Sequence, residues 1–354
     1  MDAKRKILVI RFSAMGDVAM LASVLKELCD KYPDIELVMV SRKAFQAFFE
    51  QTPQVRFHSI EPKTKHKGFW GLWKLFLELK AYQVDAVADV HDNIRSRVLS
   101  FFFRLIGTPI SRIDKGRAEK KALTRFPNKV LIPLKLTVER YADVFRELGF
   151  SFNLTHKLQT HRLPLPVGIQ TQFNPLGEVF NQSDNIPKRI GVAPFAQHPS
   201  KVYSLHKMEQ VISSLAQLGY QVYIFGGGAT EKRFADNLAT QYNHVYSVIG
   251  AYNLSQELAI ISNLDLMLSM DSSGMHMASL VGVPVISIWG ATHPFAGFLG
   301  YGQSLSDCIQ YDHPKRPNSI YGQKPLLLND LPIIDYIEPE RVVETIKQRL
   351  CQNS

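Results

Sequence analysis

From its first residues the chain alternates continuous apolar runs with apolar positions at helical spacing. "KILVIRF" (6–12) is short, β-branched and apolar throughout its middle, as a buried strand is. "DVAMLASVLKELCDKY" (17–32) instead returns an apolar residue every three or four positions, as one face of a helix does. "IELVMV" (35–40), "VRFHSI" (55–60) and "VDAVADV" (84–90) add further strands. Spacing predicts helices over 42–51, 69–81, 94–106 and 138–148. Strand–helix alternation of this kind needs right-handed crossovers, and so a parallel sheet covered by helices on both faces.

The pattern lapses over "LPLPVGIQTQFNPLGEVFNQSDNIP" (163–187), whose Pro, Gly, Asn and Gln content reads as a linker. It resumes with strand "RIGVAPF" (189–195), helix "KMEQVISSLAQLG" (207–219), strand "QVYIFGGG" (221–228) and helix "EKRFADNLATQY" (231–242). Strand "LDLMLSMD" (264–271), helix "GMHMASLVG" (274–282) and strand "VPVISIWG" (283–290) follow, and "PERVVETIKQRL" (339–350) closes the chain as a helix. The two halves share one plan, so the expected fold is α/β, two Rossmann-like domains with parallel sheets facing a central cleft. Ligands of such sheets bind beyond the carboxyl ends of the strands.

Four polar corners sit at such ends. "RFSAMGDV" (11–18) lacks the dinucleotide and Walker glycine patterns. It offers Asp17 at a helix start, either as a cap worth about 1 kcal/mol or as a general base. "PFAQHPSKVYS" (194–204) offers Lys201, a point charge for a phosphate. "FGGGATEK" (225–232) offers Glu231, either a first-turn acid that complements the helix dipole or an acid for a ribose diol. "SMDSSGMHMA" (269–278) gathers Asp271, Ser272, Ser273, Gly274 and His276 where a strand passes into a helix. Free N–H groups at a helix start attract anions, and a cap would need only one of these residues. This corner therefore reads as a diphosphate cradle.

Composition narrows the class. The 354 residues are 45% hydrophobic and 21% charged, ordinary for a globular protein of two domains. The opening has no signal-peptide pattern, and three scattered cysteines suit a reducing cytoplasm. Residues 1–160 carry 28 Lys and Arg against 17 Asp and Glu, a balance of +11; residues 161–354 carry 13 against 15, or −2. The basic half therefore expects an anionic partner. Charge alone would admit nucleic acid, but no module for it is recognisable. No D-x-D triplet, zinc-ligand cluster or G-x-S-x-G occurs, so neither a metal nor a serine nucleophile is expected.

"ILVIRFSAMGDV" and "MDSSGMHMASLVGVPVISIWGATHP" together resemble glycosyltransferase family 9, the ADP-heptose:lipopolysaccharide heptosyltransferases. The softer stretches "DAVADVHDNIRSRVLS" and "VERYADVFRELGF" between them extend the resemblance to nearly the whole chain. It implies the GT-B fold, with an acceptor-binding domain over 1–165 that the C-terminal helix 339–354 rejoins. A linker over 166–187 and a nucleotide-sugar domain over 188–338 complete the expected layout. By position, Asp17 matches the family's base, Lys201 its donor-phosphate lysine and Glu231 its ribose acid. Asp271, Ser272 and His276 match the D-[ST]-G-x-x-H corner, with Ser273 standing where the family has glycine and Gly274 one place on.

The resemblance implies an inverting, metal-independent transfer of heptose from ADP-heptose, with no cofactor, to an anionic lipopolysaccharide precursor. The enzyme would then be cytoplasmic and peripheral at the inner-membrane surface, with Arg95, Arg97 and Arg140 facing acidic sugars. "KTKHKGFWGLWKLFLELKAY" (63–82) combines Lys63, Lys65 and Lys67 with aromatic residues, as a membrane-surface helix does. Phe69, Leu72, Trp73, Phe76 and Leu79 also form a core-facing stripe. Core packing is expected, with the lysines at lipid headgroups. Other readings of the same architecture are transfer of another nucleotide sugar, a nucleotide-sugar epimerase and a nucleotide-sugar-binding protein without activity.

Overall fold

The computed structural model describes residues 5–173 and 187–352. In chain order it begins β1 (Lys6–Ile10), α1 (Met15–Lys31), β2 (Glu36–Ser41), β3 (Val55–Ser59) and α2 (Gly68–Lys80). Then come β4 (Ala86–Asp89), α3 (Ile94–Leu105), β5 (Ile110–Arg112), α4 (Arg117–Thr124), α5 (Thr137–Glu147) and the short α6 (Gln170–Phe173). The second half runs β6 (Arg189–Ala193), α7 (Leu205–Gln217), β7 (Gln221–Ile224), α8 (Ala229–Gln241), β8 (Val245–Ser247) and α9 (Leu254–Ser262). It ends β9 (Leu266–Met270), α10 (Ser273–Leu280), β10 (Val285–Trp289), β11 (Cys308–Gln310) and α11 (Pro339–Gln352).

Two units form. The first holds the chain through Gly116 and Lys135–Thr155; the second holds Arg117–Leu134 and the chain from His156 onward. The first unit's sheet has the order β3-β2-β1-β4-β5, all parallel. Ile7, Leu8, Val9 and Ile10 of β1 are all fully buried, because a central parallel strand is covered on both faces. Leu8 and Ile10 pack with Leu72, Leu75, Phe76 and Leu79 of α2 and Leu99, Phe102 and Phe103 of α3. Each such side chain contributes about 1.5–3 kcal/mol by leaving water.

Two expectations are modified here. The helix expected over 42–51 is a 3₁₀ turn, Lys43–Phe49. Its three-residue repeat aligns Phe45 and Phe48, whose rings stack at 6.1 Å. Of the α2 stripe, Leu72, Phe76 and Leu79 are buried with Leu75, but Phe69 and Trp73 are exposed. The face of α2 that meets the sheet is narrower than its apolar face.

The second unit's sheet has the order β11-β10-β9-β6-β7-β8, again parallel throughout. Its core includes Ile190 and Val192 of β6, Leu266, Leu268 and Met270 of β9, and Val211 and Leu215 of α7. The C-terminal helix, expected to rejoin the first domain, puts Val342, Ile346 and Leu350 into this core instead. Arg349 also reaches Asp307 at 3.2 Å. Residues 117–134, expected in the first domain, belong to the second unit too: Lys129 donates to the Leu123 and Lys315 carbonyls at 3.2 Å each, and Leu134 N to the Phe295 carbonyl at 2.9 Å. The linker expected over 166–187 falls largely outside the described residues. Its first part docks on the second unit, with the Phe173 and Tyr223 rings 4.6 Å apart and Arg189 over Phe173.

Candidate active site

Each sheet order contains a switch point. In the first unit β1 lies between β2 and β4, so the chain leaves β1 to one side and later returns on the other. In the second unit β6 lies between β7 and β9 in the same way. Loops diverge beyond such strand pairs and leave room for a ligand. Within each unit, the residues after the adjacent strands are therefore brought together: those after β1 and β4 in the first, and those after β6 and β9 in the second.

In the first unit the β1 corner is built around Asp17. Its Oδ2 lies 2.5 Å from Arg11 Nη2 and accepts from Ala14 N at 3.4 Å; its Oδ1 accepts from the Tyr141 hydroxyl of α5 at 3.1 Å. Capping and presentation thus coexist: the carboxylate reaches back over its own helix start and keeps 26% of its side chain exposed. Arg11 is held in turn, donating to the Val90 carbonyl at 2.8 Å with its guanidinium over the Tyr141 ring. His91 accepts from Phe12 N at 3.2 Å. Burial, with Arg11 and Lys115 adding positive charge, pushes His91 down to about 3, so its ring is neutral.

The β4 corner has its own organiser. Asp89 is fully buried, and its carboxylate accepts from His91 N (3.1 Å), Asp92 N (2.9 Å) and Ser96 Oγ (3.1 Å), with Arg112 Nε at 3.3 Å. Asn93 then caps α3 by accepting from Ser96 N at 2.8 Å. This frame projects Arg95 and Arg97 outward from the first turn of α3. Both are exposed, and Arg97 Nε bonds Asp92 at 2.7 Å. Arg140 differs: it is buried, and its guanidinium donates to the Asp114 and Lys135 carbonyls at 3.3 Å each. It holds the 114–116 turn.

In the second unit the loops after β6 and β9 bring Lys201 and Asp271 together, Nζ to Oδ2 at 2.8 Å, with side-chain exposures of 14% and 4%. Gly322 presses on the lysine's stem: a Cβ there would lie 2.7 Å from Lys201 Cγ. Ser272 and Ser273 are half-buried at the start of α10, where the first N–H groups have no intrahelical partner. Gly274 is required for a different reason than approach to a ligand. A Cβ there would stand 2.5 Å from Ala193 Cβ, so the glycine lets α10 lie against the end of β6. His276 is buried one turn into α10. Glu231, in the first turn of α8, accepts from Gly227 N at 2.6 Å and so closes its own glycine turn.

A sequence model of glycosyltransferase family 9 (heptosyltransferase) matches residues 72–319, well over half of the chain. The chain belongs to glycosyltransferase family 9. It is 23% identical over 301 residues to the lipopolysaccharide core heptosyltransferase OpsX of Haemophilus influenzae, covering 83% of this chain and 81% of that one. Among solved structures, a family 9 glycosyltransferase from Veillonella parvula superimposes with a TM-score of 0.72 at 19% identity, covering 99% and 98% of the two chains. The ADP-heptose lipopolysaccharide heptosyltransferase II of Escherichia coli gives 0.67 at 20%, covering 98% and 99%. These likenesses establish the GT-B plan of two Rossmann-like sheets, and family 9 membership makes the chain a glycosyltransferase.

Several residues that organise these corners are not legible in the motifs. Arg11 and Tyr141 bracket Asp17, and Asp89 and Arg112 organise the α3 corner. In the second unit Arg316 is nearly fully buried and donates to the carbonyls of Gly290 (2.6 Å), Thr292 (2.8 Å), Tyr311 (2.9 Å) and Trp289 (3.3 Å). Burial lowers it to about 10, still charged at neutral pH. It locks the "WGATHP" turn after β10. Arg11, directly after β1, and Tyr141, directly after Arg140, had positional signals; Arg316, in a loop-rich tail, had none.

Proposed function

We propose that the chain transfers heptose from ADP-heptose to the inner core of a lipopolysaccharide precursor with inversion at the anomeric carbon. The observation that carries this reading is the Lys201–Asp271 pair beside the start of α10. Lys201, with three donors on a charge that Asp271 orients, and the N–H groups and hydroxyls of Ser272 and Ser273 meet the diphosphate. Gly274 and His276 shape the same helix start. Negative charge grows on the leaving ADP in the transition state, so donors already in place stabilise it most. This supply of positive charge suits a transfer without a metal. Glu231 takes the ribose diol.

Asp17 accepts the proton of the attacking acceptor hydroxyl. The new bond forms from that oxygen to the anomeric carbon, and the bond to phosphate breaks with its electron pair leaving on ADP. Arg11 and Tyr141 hold the carboxylate for this step. Arg95 and Arg97 pair with acidic groups of the acceptor, while Arg140 acts through the turn it holds. Among the described residues no helix is long and apolar enough to cross a membrane, and we place the enzyme at the cytoplasmic face of the inner membrane as a peripheral protein. The names of OpsX and of the E. coli enzyme support both donor and acceptor class.

The test is calorimetric titration with ADP, UDP and GDP, followed by turnover of ADP-heptose on a heptose-free lipopolysaccharide precursor. Selective ADP binding that weakens in Lys201→Ala, with acceptor-dependent ADP release, is expected. Preference for UDP or GDP would overturn the donor assignment. Conversion of the sugar nucleotide to an isomer without acceptor would instead mark an epimerase.

A further inference from the structure

The outer face of α2 and α3 carries apolar side chains that the core does not use. On α2, Phe69, Trp70, Trp73 and Leu77 are 57, 78, 38 and 50% exposed. At helical geometry these four positions fall within an arc of about 100°. On α3, Phe101 and Leu105 are 56 and 66% exposed and lie one above the other, four residues apart. The helices pack together, and the Phe69 and Trp73 rings meet the edge of Phe102 at 5.5 and 5.1 Å. Phe101 adjoins Phe102, so the two stripes form one patch.

Its charge is of one sign. Lys67, Lys74 and Arg104 are exposed on the same elements, and α3 contains no acid. The single acid of α2, Glu78, is turned to the protein's own side chains: the Lys65 cation at 3.0 Å, and the His58 and His66 rings at 3.3 Å each. Exposed aromatic residues ringed by uncompensated cations fit the boundary between headgroups and acyl chains of an anionic bilayer. A second copy of the chain fits poorly, because a two-fold contact would bring the Lys67, Lys74 and Arg104 cations of both copies into one interface with no acid of the patch to offset them.

We infer that this face of α2 and α3 docks on an anionic phospholipid surface, the rings at the interface and the cations among the phosphates. The choice of occupant rests on the peripheral-membrane reading above; the patch itself does not. It revises the core packing expected for Phe69 and Trp73.

The chain has three tryptophans, and Trp289 is fully buried, so fluorescence changes report on Trp70 and Trp73. With vesicles of equal parts phosphatidylglycerol and phosphatidylcholine, a blue shift and quenching by brominated acyl chains are expected; pure phosphatidylcholine should give neither. The triple variant Trp70→Ser, Phe101→Ser, Leu105→Ser should stop sedimenting with the mixed vesicles. Lys67→Glu and Lys74→Glu should each lower binding by about fivefold or more, since a basic residue near an anionic surface contributes a factor of that size. ADP titration of the same variants separates the two readings. Lost vesicle binding with ADP affinity retained supports the surface. Wild type that binds ADP but shows no shift or quenching with mixed vesicles overturns it and leaves the donor assignment standing. A concentration-dependent dimer abolished by the triple variant would overturn it in favour of a second copy. Should that variant not fold, the wild-type quenching alone decides.

Discussion

Lys201 Nζ and Asp271 Oδ2 stand 2.8 Å apart at the ends of the neighbouring strands β6 and β9. Both side chains are largely out of water, so each charge depends on the other. Removing one partner of such a pair costs about 3–5 kcal/mol. Lys201→Met is therefore expected to lower stability as well as ADP affinity. The affinity loss should be roughly ten- to a hundredfold, the size of one charge-assisted hydrogen bond. Asp271→Asn keeps the cation and should weaken ADP far less. Thermal melts and calorimetry on both variants decide; unchanged ADP affinity in Lys201→Met would confine the lysine to a structural role.

Asp17→Asn preserves the shape of the side chain and removes its capacity to take a proton. Turnover is expected to fall by about 10²- to 10⁴-fold with the donor KM unchanged. Tyr141→Phe loses one hydrogen bond to Oδ1 and should lower kcat much less. Steady-state kinetics at saturating acceptor provide the check. An equal rise in KM with kcat intact would make Asp17 a binding residue.

Gly274 and Ser273 should behave in opposite ways. Gly274→Ala forces a methyl group to 2.5 Å from Ala193 Cβ, and overpacking of that kind costs about 1–3 kcal/mol. It should displace α10 and weaken ADP. Ser273→Gly meets no such obstacle: it should leave the position of α10 unchanged and weaken ADP only by the one hydroxyl contact it loses, about two- to tenfold. Melting temperatures and ADP titrations of the two variants test the contrast.

Acid should destabilise both units through buried neutral histidines. His91 is pushed down to about 3 and His293 to about 4, in each case chiefly by burial. In the unfolded chain each takes a proton near its ordinary value of 6.5. Below that pH the unfolded state binds protons that the folded state does not. The contribution of these two histidines is thus flat above about pH 6.5 and falls as pH drops toward 4 and then 3. Urea midpoints at about pH 7 and pH 5 should converge in His91→Gln relative to wild type; an unaltered gap would contradict the assignment.

The local content of the chain was enough for much of this. β1, α1, β6 and β9 follow from apolar runs whose period is a property of a few consecutive residues. Asp17, Lys201 and the 271–276 corner follow from polar residues placed just after those runs. The three-residue strands β5, β8 and β11 were not legible, since a run of three carries no period and pairs only because a longer neighbour offers a ladder. Nor were α4 and α9, whose short sequences gave no decisive stripe.

What the sequence determined by itself is the repeated strand–helix plan and the positions where chemistry follows a strand. Tertiary structure decided which of those positions meet. Asp271 faces Lys201, and Tyr141 faces Asp17, only because the sheet orders set β9 beside β6 and α5 beside α1. It also decided that α11 joins the second core and residues 117–134 the second unit, and that Phe69 and Trp73 stay at the surface. Periodicity reports that a face is apolar; what covers that face depends on residues far away in the chain, through packing and charge pairs that no local window contains.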